Sequence, residues 1–176
     1  FRTPIQPNIC VLENIKFQTQ ELDEYMDKVG RDLFTHPLRT TLTQFEESDN
    51  FGSLIQPAMQ DVERALEVLQ SKDLSGNLFL KATHERVLKV LEQSDYLKQK
   101  YHVVVANPPY MGGKGMNGRM ANYLKEHYTD VKSDLFSAFM VRNTKLAVKQ
   151  GQLGFMTPFV WMFISSYEKL RIFLLE

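Results

Sequence analysis

One cysteine, Cys10, stands in a chain of 176 residues, so no disulfide framework can form within it, which fits a reducing compartment. Charge of one sign is not in excess either: 21 basic residues balance 21 acidic ones. Composition therefore lends no support to a phosphate-rich partner, and any argument for nucleic acid must come from a site. Long hydrophobic runs are missing too. The longest uncharged apolar stretch, Leu153 to Ile164, contains Pro158 and is too short to cross a bilayer. No secretory leader pattern opens the chain, and the reading is a cytosolic protein with no membrane partner. His36, His84, His102 and His127 lie far apart with no cysteine at ligand spacing, so no metal site is expected. Internal repeats, low-complexity tracts and a phosphate-binding P-loop are absent as well.

What is present divides into three stretches by pattern, 1–16, 17–100 and 101–176. In the first, Ile9-Cys10-Val11-Leu12 is a β-prone run ending at Glu13-Asn14. It is expected to be a buried strand, with Cys10 as a small hydrophobe within it. The second has helical texture. Glu21 to Met26 opens it, and after Pro57 the residues Met59, Val62, Ala65, Leu66 and Leu69 fall on one face at three-to-four spacing. A later helix carries Val87, Leu88, Val90, Leu91 and Leu97, with Thr83 as its expected N-cap and Arg86 and Lys89 outward. Gln44 to Gly52 reads as loop. The alternating charges of this stretch read as a solvated surface.

The pattern changes at Tyr101. A strand over about His102 to Ala106 runs into Asn107-Pro108-Pro109-Tyr110, then a glycine-rich loop, then a helix from near Arg119. A second helix starts at Ser133, the expected N-cap, with Asp134 in its first turn and Phe136, Phe139, Met140 and Leu146 on its apolar face. Gln150-Gly151-Gln152 breaks the pattern, and Leu153 to Thr157 reads as another strand ending at Pro158. Strand, helices and strand joined by a long crossover mark a parallel α/β sheet. Ligands of such sheets sit at the carboxyl ends of strands, where Asn107 to Tyr110 fall. Phe155, Phe159, Trp161 and Phe163, near the end, are expected to be core.

Asn-Pro-Pro-Tyr suits one particular task. The exocyclic amine of an aromatic base is a poor nucleophile because its lone pair is delocalised into the ring. Acceptors on both amino hydrogens pull the nitrogen toward tetrahedral geometry, and the Asn107 side-chain oxygen and the Pro108 carbonyl can supply them. Prolines at 108 and 109 fix φ and remove competing donors, and Asn107 before a proline is pushed to extended geometry. The turn is thus rigid before substrate arrives. Tyr110 adds a face on which a base can stack. As an ordinary turn, this four-residue string is expected by chance in on the order of one chain in a thousand of this length, and placement after an apolar strand shrinks that further.

These residues resemble the (Asn/Asp/Ser)-Pro-Pro-(Tyr/Phe/Trp) signature of S-adenosylmethionine-dependent amino-methyltransferases. The longer run Ala106-Asn107-Pro108-Pro109-Tyr110-Met111-Gly112-Gly113-Lys114-Gly115-Met116-Asn117 is similar to the adenine-specific DNA methyltransferases of BREX-type phage-defence systems. Pro7 to Ile15 and Gly154 to Met162 read like the same family. The resemblance implies an α/β fold, a partial Rossmann-like methyltransferase core with a helical insertion before the catalytic strand. It implies transfer of a methyl group from S-adenosylmethionine to N6 of a flipped adenine in DNA. Asn107 and Pro108 would accept from the amino group, Pro109 would stiffen the turn, and Tyr110 would stack on the ring. Glu13, with Asn14 beside it, would contact the cofactor, and Asp134-Leu135 would lie behind the target-base pocket. DNA and other defence-system proteins are the implied partners.

The family's Asp-Pro-x-x-Gly-x-Gly cofactor loop does not occur here. The chain accordingly reads as an internal fragment, catalytically silent alone, with that loop expected upstream of Phe1 and the second aromatic wall of the base pocket downstream of Glu176. Gly113-Lys114-Gly115-Met116-Asn117-Gly118 matches a dinucleotide-binding pattern but starts too far from its strand, so a loop bordering the site is favoured. Lys114 and Arg119 have the reach for a DNA phosphate and suit an ordinary solvated surface equally. Two other readings stay open: methylation of RNA or of a protein glutamine, and a non-enzymatic remnant or scaffold of a defence complex.

Overall fold

The computed structural model describes residues 6–29, 35–72 and 78–175. The chain divides into two compact units, Phe1–Lys98 and Gln99–Glu176.

The first unit is helical. Its helices are α1 (Thr19–Val29), α2 (Thr35–Gln44), the single turn α3 (Ser48–Phe51), α4 (Val62–Gln70) and α5 (Leu78–Lys98). The three-to-four spacing after Pro57 becomes α4, which buries Val62, Ala65 and Leu69, while Asp61 caps it by accepting from the Arg64 N–H at 3.1 Å. Met59, just ahead, is buried too. Tyr25, Leu42, Phe45, Ile55, Val87, Val90 and Leu91 complete one continuous core. Complete burial of a side chain such as Leu91 is worth about 2 kcal/mol. Inside this core the Tyr25 hydroxyl and His84 Nδ1 share a hydrogen bond of 2.7 Å that joins α1 to α5.

Three expectations fail here, each for a local reason. Ile9 to Leu12 form no strand: Ile9 and Val11 are exposed and Cys10 is half-buried. Strand propensity needs a ladder partner, and this stretch instead runs to α5, where Tyr96 donates to Asn8 Oδ1 and the Glu13 N–H donates to Gln93 Oε1 at 2.7 Å. Thr83 is no N-cap, because α5 starts five residues earlier. It lies buried inside the helix, its hydroxyl donating to the Phe79 carbonyl and to Glu21. Gln44 to Gly52 is not all loop, since Ser48–Phe51 make a helical turn, with the Ser48 hydroxyl donating to the Phe45 carbonyl at 2.9 Å.

The second unit holds two parallel strands, β1 (Tyr101–Ala106) and β2 (Ala147–Phe155), linked through α6 (Gly118–His127) and α7 (Leu135–Thr144) and followed by α8 (Glu168–Leu175). Val104 pairs with Leu153, Val105 with Gly154 and Ala106 with Phe155. Gln150-Gly151-Gln152 does not end an element as expected. It bulges within β2, because the register jumps between Tyr101 and Val103 and Gln150 takes a φ of 66°. A Cβ at Gly151 would stand 3.0 Å from the Val148 carbonyl oxygen, so glycine is needed for the close approach.

The N-cap of α7 is Asp134 and not Ser133. Its carboxylate accepts from the Phe136 N–H at 3.3 Å. Phe136, Ala138 and Met140 are buried under this helix, with Met120 and Leu124 from α6 and Leu170 from α8. None of the four late aromatics expected in the core is buried. Phe155 and Trp161 are half-buried, and Phe159 and Phe163 are 70% and 76% exposed, on and just after a 3₁₀ turn rather than a strand, so no alternation carries them inward.

Candidate active site

Asn107 to Tyr110 leave β1 at its carboxyl end, where β2 also finishes. Asn107, Pro109 and Tyr110 are exposed, while Pro108 is buried. Met156, one residue past β2, joins the two strand ends. Its N–H donates to the Ala106 carbonyl at 3.1 Å, and its own carbonyl accepts from the Tyr110 hydroxyl at 2.9 Å. The Tyr110 ring is thereby fixed at its far end while 53% of the residue stays exposed.

A second support comes from α7. The buried Phe136 ring meets Tyr110 edge-on, with centroids 6.4 Å apart and planes at 86°. Behind it lies Tyr167, 5.5 Å from Phe136. The chain just after the motif is held as well: the Leu135 N–H donates to the Met111 carbonyl at 3.0 Å, and Gly112 forms an antiparallel bridge with Asp134. Burial pushes the Asp134 carboxyl above its ordinary range, opposed by backbone N–H groups of Phe136, Met111 and Leu135. The Tyr167 phenol is pushed up by burial and, less, by the Asp134 charge.

Gly112 to Gly118 form a loop, not a dinucleotide cradle. The Gly115 N–H closes a turn onto the Gly112 carbonyl at 2.8 Å. Asn117 then caps α6, its side-chain oxygen accepting from the Met120 N–H at 2.8 Å. Lys114 and Arg119 are exposed.

Glu13 and Asn14 belong to the first unit. The exposed Glu13 carboxylate pairs with Lys89 at 2.7 Å, and Asn14 Oδ1 accepts from the Asp49 N–H at 3.0 Å. An open groove of about 460 Å³ in the same unit is lined by residues including Glu21, Phe79, Thr83 and Arg86. Arg86 and Glu21 there are occupied with one another, and the Thr83 hydroxyl also donates to Glu21. Among the described residues no group of three His, Cys, Asp or Glu side chains is placed to hold a metal, and no helix is long and apolar enough to cross a membrane.

The structure thus brings Asn107, Pro108, Pro109 and Tyr110 together with residues that sequence reasoning did not assign to the site. The sequence marks Met156 and Phe136 only as strand and helix-face positions. Tyr167 had no signal at all, because nothing local distinguishes a tyrosine that tertiary packing carries behind Phe136.

Residues 12–176 match the Eco57I restriction-modification methylase family. The chain is 39% identical over 142 residues to adenine-specific methyltransferase BrxX of Escherichia coli O9:H4 (strain HS), covering 79% of this chain and 12% of that protein. It is 26% identical over 177 aligned positions to adenine-specific methyltransferase PglX of Lacticaseibacillus casei (strain Zhang), covering 97% of this chain and 15% of the relative. Similarity extends at 28% identity over 120 residues to the type II restriction enzyme and methyltransferase RM.Eco57I of Escherichia coli, covering 63% of this chain and 12% of that enzyme. The chain therefore spans 12% to 15% of the length of these curated relatives.

Proposed function

Because the chain belongs to the Eco57I restriction-modification methylase family, we propose that it carries the amine-gripping part of an adenine-specific DNA methyltransferase of phage defence. The full-length enzyme transfers a methyl group from S-adenosylmethionine to N6 of an adenine flipped out of the duplex. Its core is Rossmann-like, with 101–176 as its catalytic part and 17–100 as a helical insertion, while residues 6–16 contribute no strand to it in this structure. The observation behind this reading is the exposed pair Asn107 and Tyr110 at the carboxyl end of a parallel strand, with Tyr110 anchored on Met156.

The chemistry follows from the donor and acceptor inventory. A flipped adenine stacks on the open face of Tyr110. Asn107 Oδ1 and the Pro108 carbonyl each accept one N6 hydrogen, so the nitrogen lone pair leaves conjugation with the ring. Asn107 is a neutral amide and no base; it orients and polarises. S-adenosylmethionine, when bound, supplies an electrophilic methyl group. The residue of this chain that fits the cofactor is Glu13: its carboxylate is half exposed, and its pair with Lys89 is a surface pair worth about 0–1 kcal/mol, which a cofactor hydroxyl or amine displaces at little cost. Asn14 fits less well, its oxygen being committed to Asp49.

The test is methylation by the full-length protein with labelled S-adenosylmethionine, offered DNA, RNA and protein. Asn107→Ala is expected to lower kcat on DNA by roughly 100-fold or more, as loss of one preorganised electrostatic contact does, with melting unchanged. Wild-type turnover in that variant would overturn the reading. Label appearing in RNA or protein instead of DNA would move the substrate.

A further inference from the structure

The residue that follows the motif is gripped by the start of α7 in more ways than a passing contact requires. Leu135 donates its N–H to the Met111 carbonyl at 3.0 Å, and Gly112 bridges Asp134 in antiparallel fashion. The Asp134 carboxylate reaches back toward the loop: its Oδ2 would lie 3.4 Å from a Cβ at Gly112, and the Met111 N–H bears on it together with the Phe136 N–H. Met111 is therefore held at its C=O by Leu135, while its N–H faces the Asp134 carboxylate, one peptide beyond Tyr110. The Ser137 hydroxyl donates to the Asp134 carbonyl at 2.6 Å and to the Val131 carbonyl at 2.7 Å, which fixes the cap residue itself. Phe136, the second residue of the helix, then meets the Tyr110 ring edge-on.

We propose that Asp134 is a positioning residue for base stacking, gripping Met111 and Gly112 so that Tyr110 presents its ring at one fixed angle. This rests on the reading of Tyr110 as the stacking surface for the target base. Asp134 touches no reacting atom and acts through Tyr110. Its importance lies in combining two tasks on one carboxylate, the helix cap and the loop grip, so that the position of α7 and the angle of the Tyr110 ring are set together.

The experiment compares Asp134→Ala, Asp134→Asn and Asp61→Ala in the full-length protein. Asp61→Ala removes the equivalent cap of α4, which has no part in the site. Two readouts are used. Amide hydrogen exchange at Met111 and Gly112 reports the grip without any reaction. The fluorescence of DNA carrying 2-aminopurine in place of the target adenine, with KM and kcat for methylation, reports stacking. Asp134→Ala is expected to speed exchange at both amides about tenfold, weaken quenching of 2-aminopurine, and raise KM for DNA about fivefold to tenfold with a smaller change in kcat. Asp134→Asn keeps an acceptor and a competent cap, and should restore most of each signal. Asp61→Ala should leave all of them as in wild type. Unchanged exchange in Asp134→Ala overturns the grip, and faster exchange with unchanged quenching and KM overturns the positioning role. A wild-type protein that methylates no DNA sinks the functional reading, and exchange still decides whether Asp134 holds the loop.

Discussion

Tyr110 owes its orientation to a hydroxyl that phenylalanine would lack. Its bond to the Met156 carbonyl sits at a half-exposed position, where a hydrogen bond is worth about 0.5–1.5 kcal/mol. Tyr110→Phe should therefore keep the stacking face but lose its tether. We expect KM for DNA to rise about twofold to tenfold while kcat moves less, as steady-state kinetics on the full-length protein would show. If Tyr110 is the stacking surface proposed above, Tyr110→Ala removes the face as well and should forfeit a further ~1–3 kcal/mol of base stacking. Asp134 makes a second residue-scale prediction. Burial holds its carboxyl above the ordinary value of 3.8, so the folded state binds that proton more tightly than the unfolded state does. The resulting stability is present at low pH and is lost as pH rises from the unfolded toward the folded pKa. Asp134→Asn, which keeps a cap without a half-buried charge, should match or exceed wild-type stability at pH 7. That margin should close as thermal melts are taken down toward about pH 4.

Between elements, the buried pair of Tyr25 and His84 couples α1 to α5 and makes the first unit sensitive to acid. Burial holds the His84 pKa below its usual value, outweighing the neighbouring Glu85. The unfolded state therefore binds the proton more readily, and stability that is full above about pH 6.5 is lost as pH falls through the folded pKa. Substituting His84→Gln should flatten the pH dependence of unfolding across that window, and a slope identical to wild type would refute the assignment. How far each element was legible follows the same division between local and tertiary causes. The spacing of Val62, Ala65 and Leu69 disclosed α4 because amphipathic periodicity is local, and Asn-Pro-Pro-Tyr disclosed the strand-end turn because proline geometry is local. Ile9 to Leu12 misled because strand formation depends on a partner that the run itself does not specify. Gln150 misled because a residue with φ of 66° inside β2 carries no glycine signal of its own. Met156 and Phe136 entered the site only through the parallel register and the entry angle of α7, neither of which is written in either residue's neighbours.

For the molecule as a whole, the small sheet matters as much for what it leaves open as for what it positions. Val103 and Val105 project to the same side of β1, since alternate residues of a strand share a face, and they are 60% and 77% exposed. Two β-branched side chains side by side on a sheet that has two strands among the described residues form a surface that water solvates poorly and a further strand or helix can cover. The chain spans only 12% of the BrxX relative, so a polypeptide of that length has ample material to cover this face. We expect the 176 residues produced alone to bind a hydrophobic dye, to self-associate with rising concentration in analytical ultracentrifugation, and to transfer no methyl group. The double substitution Val103→Thr with Val105→Thr keeps strand propensity while adding hydroxyls, and should shift the isolated chain toward monomer. The same pair in the full-length protein should instead lower its melting temperature, because there it would bury two hydroxyls against the covering element. Equal and harmless effects in both settings would mean that the face stays solvated in the full-length protein, and that the sheet ends at these two strands.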